Sequence, residues 1–223
     1  EGLKPDPKKV EAVVNWPRPR TITDVKQYVG FVNYYLRFND RQASVLLPLT
    51  EAMKGAKTKA DGTAQVEWTA ACEEAFVRSK VMMASAPVLK TPEPQKPFVI
   101  FSDACDFATG AVLMQEGQGG DLQPVAFLSK KLNAAQRNYS MYEKEGVAII
   151  EALEQWRCYF EGSPVLVYTD HMSLVHLKSQ EQLNRRQARW LHVLERGDVA
   201  IVYKRGEENL SDALSRRPDY FDN

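Results

Sequence analysis

The sequence predicts an α/β protein: a mixed β-sheet with helices on both faces, preceded by a smaller helical segment. In the first part, apolar residues recur at the three- and four-residue spacing of helices. In the second part, three consecutive strand patterns precede a long amphipathic helix and a fourth strand. This order is typical of an antiparallel meander joined through a helical crossover to a strand parallel to one of its members.

The first 90 residues have the pattern of short helices joined by polar connections. Asp6, between two prolines, and Thr69 are suitable residues to begin a helix, and Thr23 with Asp24 can cap another. The stretch 55–62 is rich in Gly, Lys and Thr and is predicted to be an exposed loop. Helices are predicted at Lys8–Val14, from Thr23 onward, at Val45–Met53 and from Thr69 onward.

A proline-rich linker around Thr91–Lys96 predicts a boundary between two parts, a helical segment at 1–90 and a sheet domain at 91–223. The predicted strands of the second part are Phe98–Ser102, Ala108–Gln115, Gln123–Ser129, Val165–Thr169 and Val199–Tyr203. Its predicted helices are Ser140–Phe160, Leu174–Lys178, Arg185–Glu195 and Leu210–Arg216.

Composition excludes several classes of protein. The 29 basic and 29 acidic residues cancel, so contacts to a polyanion must come from local patches. Cys72, Cys105 and Cys158 are an odd set without C-x-x-C spacing, which argues against a disulfide framework or a zinc site and favours a reducing, intracellular setting. No apolar run approaches the roughly 20 residues of a membrane span. The chain begins without Met, and we expect it to be part of a longer polypeptide.

Four acidic residues follow predicted strands or lie at the start of predicted helices: Asp103, Glu145, Asp170 and Asp212. The ends of adjacent strands in an open α/β sheet are where ligands bind, so these carboxylates can converge in space. Oxygen ligands of this kind suit a hard divalent cation such as Mg²⁺. A pair of such ions can bind the attacking and leaving oxygens of a phosphodiester.

Helical geometry distinguishes Glu145 from its neighbour Glu143. At about 100° per residue, Glu145 lies about 40° from the centre of the apolar stripe and Glu143 about 120° away. The stripe consists of Tyr142, Ile149, Leu153, Trp156 and Phe160. Glu145 is therefore predicted to face the sheet, where a carboxylate is costly to bury unless a positive partner such as a metal ion meets it.

Each acid also has a purely structural interpretation. Glu145 can complement the positive end of its helix, and Asp103 can cap the turn that follows it. Asp170 can simply end a strand, and Asp212 can be the N-cap of the last helix. Taken alone, the residues support a hard-cation site at a sheet edge, which would also suit a phosphatase or another nuclease.

A family resemblance covers nearly the whole chain. The sheet part resembles the ribonuclease H domain of reverse transcriptases from long-terminal-repeat retrotransposons of the Ty3/gypsy type, and the helical part resembles the thumb and connection that follow the polymerase palm. The matching segments of the sheet part are Ser102–Ala104, Gly110–Leu113, Tyr142–Glu145, Tyr168–His171 and Asp212–Arg216. Those of the helical part are Asp6–Val10, Asn15–Pro17, Gly30–Tyr35, Pro48–Thr50, Trp68–Thr69 and Ser85–Leu89.

The resemblance implies a ribonuclease H-like five-stranded sheet and hydrolysis of the RNA strand of an RNA/DNA hybrid. It implies two Mg²⁺ ions, for which Mn²⁺ can substitute, held by Asp103, Glu145, Asp170 and Asp212. The implied partners are the hybrid and the polymerase part of the same polyprotein, in the cytoplasm or within virus-like particles and not in a membrane. Two departures from the pattern are the lack of a His in Tyr203–Asn209 and a Phe160–Val165 link too short for a basic protrusion.

Substrate contacts are predicted from basic residues in the second part: Arg185, Arg186, Arg189, Lys204 and Arg205. Such side chains can meet phosphates, although a charged helix face is often only solvated. A different class of function also fits the resemblance, namely a non-catalytic connection or assembly module derived from a retroelement. Mg²⁺-dependent cleavage of a hybrid distinguishes the two, since such a module makes no cut.

Overall fold

The computed structural model describes residues 2–35, 38, 42–54, 57–58, 64–180 and 182–205. The helical part consists of helices α1 (Pro7–Val14), α2 (Ile22–Tyr34), α3 (Gln42–Val45), α4 (Leu47–Ala52) and α5 (Ala70–Ala84). Short strands β1 (Gly2–Leu3) and β4 (Leu89–Lys90) pair with each other, as do β2 (Lys57–Thr58) and β3 (Ala64–Gln65). Within these described residues, no helix is both long and apolar enough to span a bilayer.

Side-chain caps mark the starts of α1, α2 and α5. Asp6 accepts a hydrogen bond from the Lys8 backbone N–H at 3.0 Å, and Thr69 caps α5, both as predicted. The predicted start at Thr23 is wrong, because Thr21 forms a capping box with Asp24 two residues earlier. Lys57 and Thr58 form a strand and not a loop, and the rest of the predicted 55–62 loop lies outside the described residues.

The main sheet has five strands in the order β7-β6-β5-β8-β9. They are β5 (Phe98–Ala104), β6 (Ala108–Glu116), β7 (Leu122–Lys131), β8 (Val165–Thr169) and β9 (Val199–Tyr203). The first three form an antiparallel meander, and β8 is parallel to both β5 and β9. The predicted mixed sheet is confirmed, and helical connections from β7 to β8 and from β8 to β9 allow the parallel pairs.

The helices of the second part are α6 (Ala134–Arg137), α7 (Met141–Gln155), α8 (Met172–Val175) and α9 (Arg185–Leu194). The helix predicted to continue to Phe160 ends at Gln155, and a 3₁₀ turn follows at Arg157–Tyr159. Helix α6 was not predicted. The predicted helix at Leu210–Arg216 lies outside the described residues.

The two faces of the sheet have different coverings. Helices α7, α8 and α9 bury one face, including Ile100, Leu113 and Val167. The opposite face contributes Phe101, Val112, Met114 and Phe127 to the same buried cluster as the helical part. Tyr28 and Tyr35 belong to that cluster, Trp16 and Phe31 pack against it, and Tyr34 is 74% exposed. The boundary near residue 90 therefore does not separate two independent cores.

Helix α9 packs closely on α7 at Gly146. A Cβ atom at Gly146 would lie 2.7 Å from Cη2 of Trp190, a distance that real Cβ atoms do not tolerate. Trp190 is 5% exposed and belongs to the core under the first face. Gly146 directly follows Glu145 in α7. The absence of a side chain at Gly146 thus allows Trp190 of α9 to pack against α7 beside Glu145.

We expect Gly146→Ala to destabilise the protein by roughly 1–3 kcal/mol, because the added methyl group overpacks Trp190. Gly30→Ala is the matched control: this exposed helical glycine has no atom within 4 Å of an added Cβ. The control should stabilise by up to about 1 kcal/mol through helix propensity. Chemical unfolding monitored by circular dichroism measures both, and equal effects would contradict the close packing at Gly146.

Candidate active site

Two of the predicted acids lie side by side at the carboxyl edge of the sheet. In the parallel pair of β5 and β8, Phe101 is opposite Tyr168. Two residues further along, the same register aligns Asp103 with Asp170. Asp103 is half-buried near the end of β5, and Asp170 is exposed just after β8. Adjacent strands thus bring together two carboxylates that are 67 positions apart in the chain.

Glu145 enters the same region from the first face of the sheet. It lies in the first turns of α7, where Ser140 and Glu143 form a capping box. The Glu145 side chain is buried, at 3% exposure, as its predicted orientation requires. Its Oε1 accepts a hydrogen bond from the Ala104 backbone N–H at 3.0 Å. Its Oε2 is buried and has no hydrogen-bond partner, although such groups are almost always satisfied in proteins.

Asp103 and Asp170 act electrostatically on Glu145. Burial, followed by the negative charges of Asp103 and Asp170, raises the pKa of Glu145 from its ordinary 4.5 to about 8, against the lowering effect of the Ala104 N–H. Glu145 therefore lies within electrostatic reach of the two aspartates that the register of β5 and β8 places at the same edge of the sheet.

The donor set fits a hard cation. Carboxylate oxygens are the preferred ligands of Mg²⁺, and the unpartnered Oε2 of Glu145 is an oxygen available to a positive group. Among the described residues, no three His, Cys, Asp or Glu side chains already form a group able to hold a metal ion. Asp212, the fourth predicted ligand, lies outside the described residues.

The three arginines of α9 have different surroundings. Arg185 and Arg189 are exposed and lie four residues apart on the helix. Arg186 is half-buried: its guanidinium pairs with Glu143 and lies 3.6 Å from the centre of the Tyr139 ring. Arg186 therefore joins α9 to the start of α7, whereas Arg185 and Arg189 are directed to the surface.

Lys204 and Arg205 follow β9, the strand next to β8. The Lys204 N–H donates to the Thr169 carbonyl at 2.8 Å, which places Lys204 beside Asp170 along the sheet edge. The Lys204 ammonium lies 5.1 Å from the ring centre of Tyr168 and 5.7 Å from that of Phe101, and the two rings are stacked. Arg205 is exposed. Lys204 and Arg205 thus lie at the same edge of the sheet as Asp170, and the Lys204 ammonium lies over the two stacked rings.

Lys144 was not among the residues predicted for the site, and it is 5% exposed. Its Nζ lies 2.7 Å from Oδ1 of Asp106, in the turn between β5 and β6. No sequence signal identifies this pair, because the two residues are 38 positions apart and meet only when α7 packs on the meander.

The strand order and the helices that flank it define a ribonuclease H-like fold. Residues 93–196 match the family described as the RNase H-like domain found in reverse transcriptase. The foamy viral protease-reverse transcriptase solved with double-stranded DNA has a TM-score of 0.76 and 20% identity, covering 91% of this chain and 35% of that one. The structure with RNA/DNA hybrid has a TM-score of 0.72 and 20% identity, covering 89% and 27%.

Similarity to transposon polyproteins extends over nearly the whole chain. The Pol polyprotein of transposon opus from Drosophila melanogaster is 36% identical, covering 98% of this chain and 22% of its own length. The transposon Tf2-3 polyprotein from Schizosaccharomyces pombe is 33% identical, covering 98% and 16%. The chain thus contains a ribonuclease H-like domain and corresponds to about a fifth of the length of these relatives.

We expect the raised pKa of Glu145 to make stability depend on pH. The stabilising contribution of protonated Glu145 is complete below pH 4.5, where the unfolded chain also binds the proton. It is lost as pH rises through about 8. In EDTA, the wild-type melting temperature should fall by several degrees more between pH 6 and pH 9 than that of Glu145→Gln. Identical slopes in the two proteins would show that Glu145 does not titrate in this way.

Proposed function

We propose that this chain is the ribonuclease H part of a Ty3/gypsy-type retrotransposon reverse transcriptase and that it hydrolyses the RNA strand of RNA/DNA hybrids with Mg²⁺. The observation that carries the proposal is the buried Glu145, whose Oε2 lacks a partner beside Asp103 and Asp170. Similarity to Pol polyproteins supports the assignment, and a foamy viral relative solved with RNA/DNA hybrid supports the choice of substrate. The polymerase part of the same polyprotein is the proposed partner, in the cytoplasm or in virus-like particles.

The proposed ligands are Asp103, Glu145, Asp170 and Asp212. Two Mg²⁺ ions, or Mn²⁺ in their place, would supply charge stabilisation of the attacking and leaving oxygens of the phosphodiester. The Ala104 N–H holds Oε1 of Glu145 and leaves Oε2 as the oxygen available for a ligand bond. The carboxylates serve as ligands and not as proton carriers, so their negative charge and their spacing matter more than their individual basicity.

Substrate binding is proposed to depend on local cations, because the 29 basic and 29 acidic residues cancel. Lys204 and Arg205 lie at the carboxyl edge of the sheet, and Arg185 and Arg189 lie on the exposed side of α9. Arg186 is the exception, since Glu143 and Tyr139 already occupy its guanidinium. Phosphate contacts of this kind position a nucleic acid without reading its sequence.

Asp103→Asn and Asp170→Asn should each lower Mg²⁺-dependent hydrolysis by at least about 100-fold, because each keeps the side-chain shape and removes ligand charge. The fold should persist, since either change relieves repulsion on Glu145. Cleavage of a labelled RNA/DNA hybrid measures the effect. Cleavage retained in either variant contradicts the proposed ligands, and a wild type that makes no cut favours a non-catalytic assembly module.

Glu145→Gln should abolish the same cleavage, and Glu143→Gln is its matched control two residues away. Glu143 points away from the carboxylates, accepts from Ser140 and pairs with Arg186, so its replacement should cost about 1 kcal/mol of stability and leave cleavage nearly unchanged. A reversed result would mean that the wrong face of α7 has been assigned to the site.

Replacing Arg185 and Arg189 together with Ala should weaken hybrid binding. It should also reduce the slope of log Kd against log salt by roughly one to two, because one or two phosphate contacts are lost. Arg186→Ala should instead lower stability and leave the salt slope unchanged, because this side chain is held by Glu143. Fluorescence anisotropy across a salt series measures the slopes. Equal slopes in the double variant and the wild type would show that α9 does not touch the hybrid.

A further inference from the structure

Lys144 occupies an unfavourable place for a lysine. It lies in the first turns of α7, near the end of the helix that repels positive charge, and its side chain is 6% exposed. Removing an ammonium group from water is costly, so a Met of similar length would be cheaper to bury if only packing mattered. The contact made by this ammonium indicates why a charged residue is used.

The Nζ of Lys144 lies 2.7 Å from Oδ1 of Asp106, whose own side chain is 72% exposed. Asp106 is part of the short turn between β5 and β6. The turn is otherwise fixed by backbone bonds, one from the Cys105 N–H to the Ala108 carbonyl at 2.9 Å and one from the Leu132 N–H to the Phe107 carbonyl at 2.8 Å. The Lys144 ammonium therefore connects α7 to this turn through an ion pair.

A second contact joins the same two segments. Glu145, the next residue of α7, accepts from the backbone N–H of Ala104, which lies between Asp103 and the turn. Two consecutive residues of the helix therefore hold one short segment of chain, one by an ion pair and the other by a hydrogen bond. Any movement of the turn away from α7 would lengthen the Ala104–Glu145 hydrogen bond and displace Asp103.

We propose that Lys144 and Asp106 are a positioning pair for the carboxylate cluster, an inference that rests on the proposed function. The ion pair holds the turn against α7, so that the Ala104 N–H stays on Oε1 of Glu145 and Oε2 stays directed to a cation. Neither residue touches the reacting atoms. Their effect reaches the cation through Glu145 and Asp103, in the way that outer residues orient the ligands of other metal sites.

The alternative is an ion pair that only stabilises the fold. Such a pair would lower the melting temperature without altering cation affinity or the local environment of Ala104. Lys90 offers a matched control, because its side chain is 11% exposed, it pairs with the partly exposed Glu93, and it lies on β4 outside the carboxylate cluster. Lys90→Met therefore removes the ion pair of a similarly buried lysine without reaching the site, while Glu93 keeps its pair with Lys96.

The test compares Lys144→Met, Asp106→Asn, Asp106→Glu and Lys90→Met in the full 223-residue chain. Three quantities are measured: Mg²⁺ affinity by calorimetry, hydrogen exchange of the Ala104 amide by NMR, and kcat and KM for hybrid cleavage. Lys144→Met and Asp106→Asn should weaken Mg²⁺ binding by about 10- to 100-fold. They should also speed Ala104 exchange and lower kcat with little change in KM. Asp106→Glu should keep most of the wild-type Mg²⁺ affinity, exchange rate and kcat, and Lys90→Met should change none of them.

Unchanged Mg²⁺ affinity and unchanged Ala104 exchange in a folded Lys144→Met protein would overturn the positioning role. If that variant does not fold, Asp106→Asn decides, because its side chain lies mostly in solvent. A wild type that neither binds Mg²⁺ nor cleaves would overturn the proposed function instead. Faster Ala104 exchange in the variants would then still support the link between the turn and α7.

Discussion

The hydrogen bond from the Ala104 N–H to the buried Glu145 carboxylate is the contact on which the rest of the site depends. This bond fixes the rotation of α7 about its own axis. The apolar stripe of the helix is thereby directed onto the first face of the sheet. Gly146 and Trp190 set the depth at which the helix lies. Burial and the charges of Asp103 and Asp170 raise the pKa of Glu145 to about 8, so an ionised Glu145 lowers stability unless a cation binds beside it.

Much of the sheet could be predicted because its strands carry strong local signals. Val165–Thr169 and Val199–Tyr203 have the predicted limits, since both are runs rich in β-branched and aromatic residues. Strand direction followed from connection length, as only the long crossover allows β8 to be parallel to β5. Local competition among caps is harder to predict: Thr21 and Thr23 are both suitable, and the reciprocal bond with Asp24 selects Thr21.

The site could be predicted only in part, and the division is physical. Asp103 lies near the end of β5 and Asp170 directly follows β8, so the position of each in the chain already places it at a sheet edge. Glu145 followed from helical phase. By contrast, the partners of Lys144 and Arg186 are decided by how α7 meets the meander and α9, which no local pattern encodes. Two residues predicted to be alike, Arg185 and Arg186, therefore differ in their surroundings.

The second face of the sheet has a consequence for how this protein can be divided. Phe101, Val112, Met114 and Phe127 are covered by helices that precede the proline-rich linker, and a cut in that linker followed by separation would leave these four side chains as one apolar surface. Surfaces of that kind promote association with other chains. Proteolytic processing at this linker would thus yield fragments that stay together. A substitution at this shared surface in either fragment would change the stability of both.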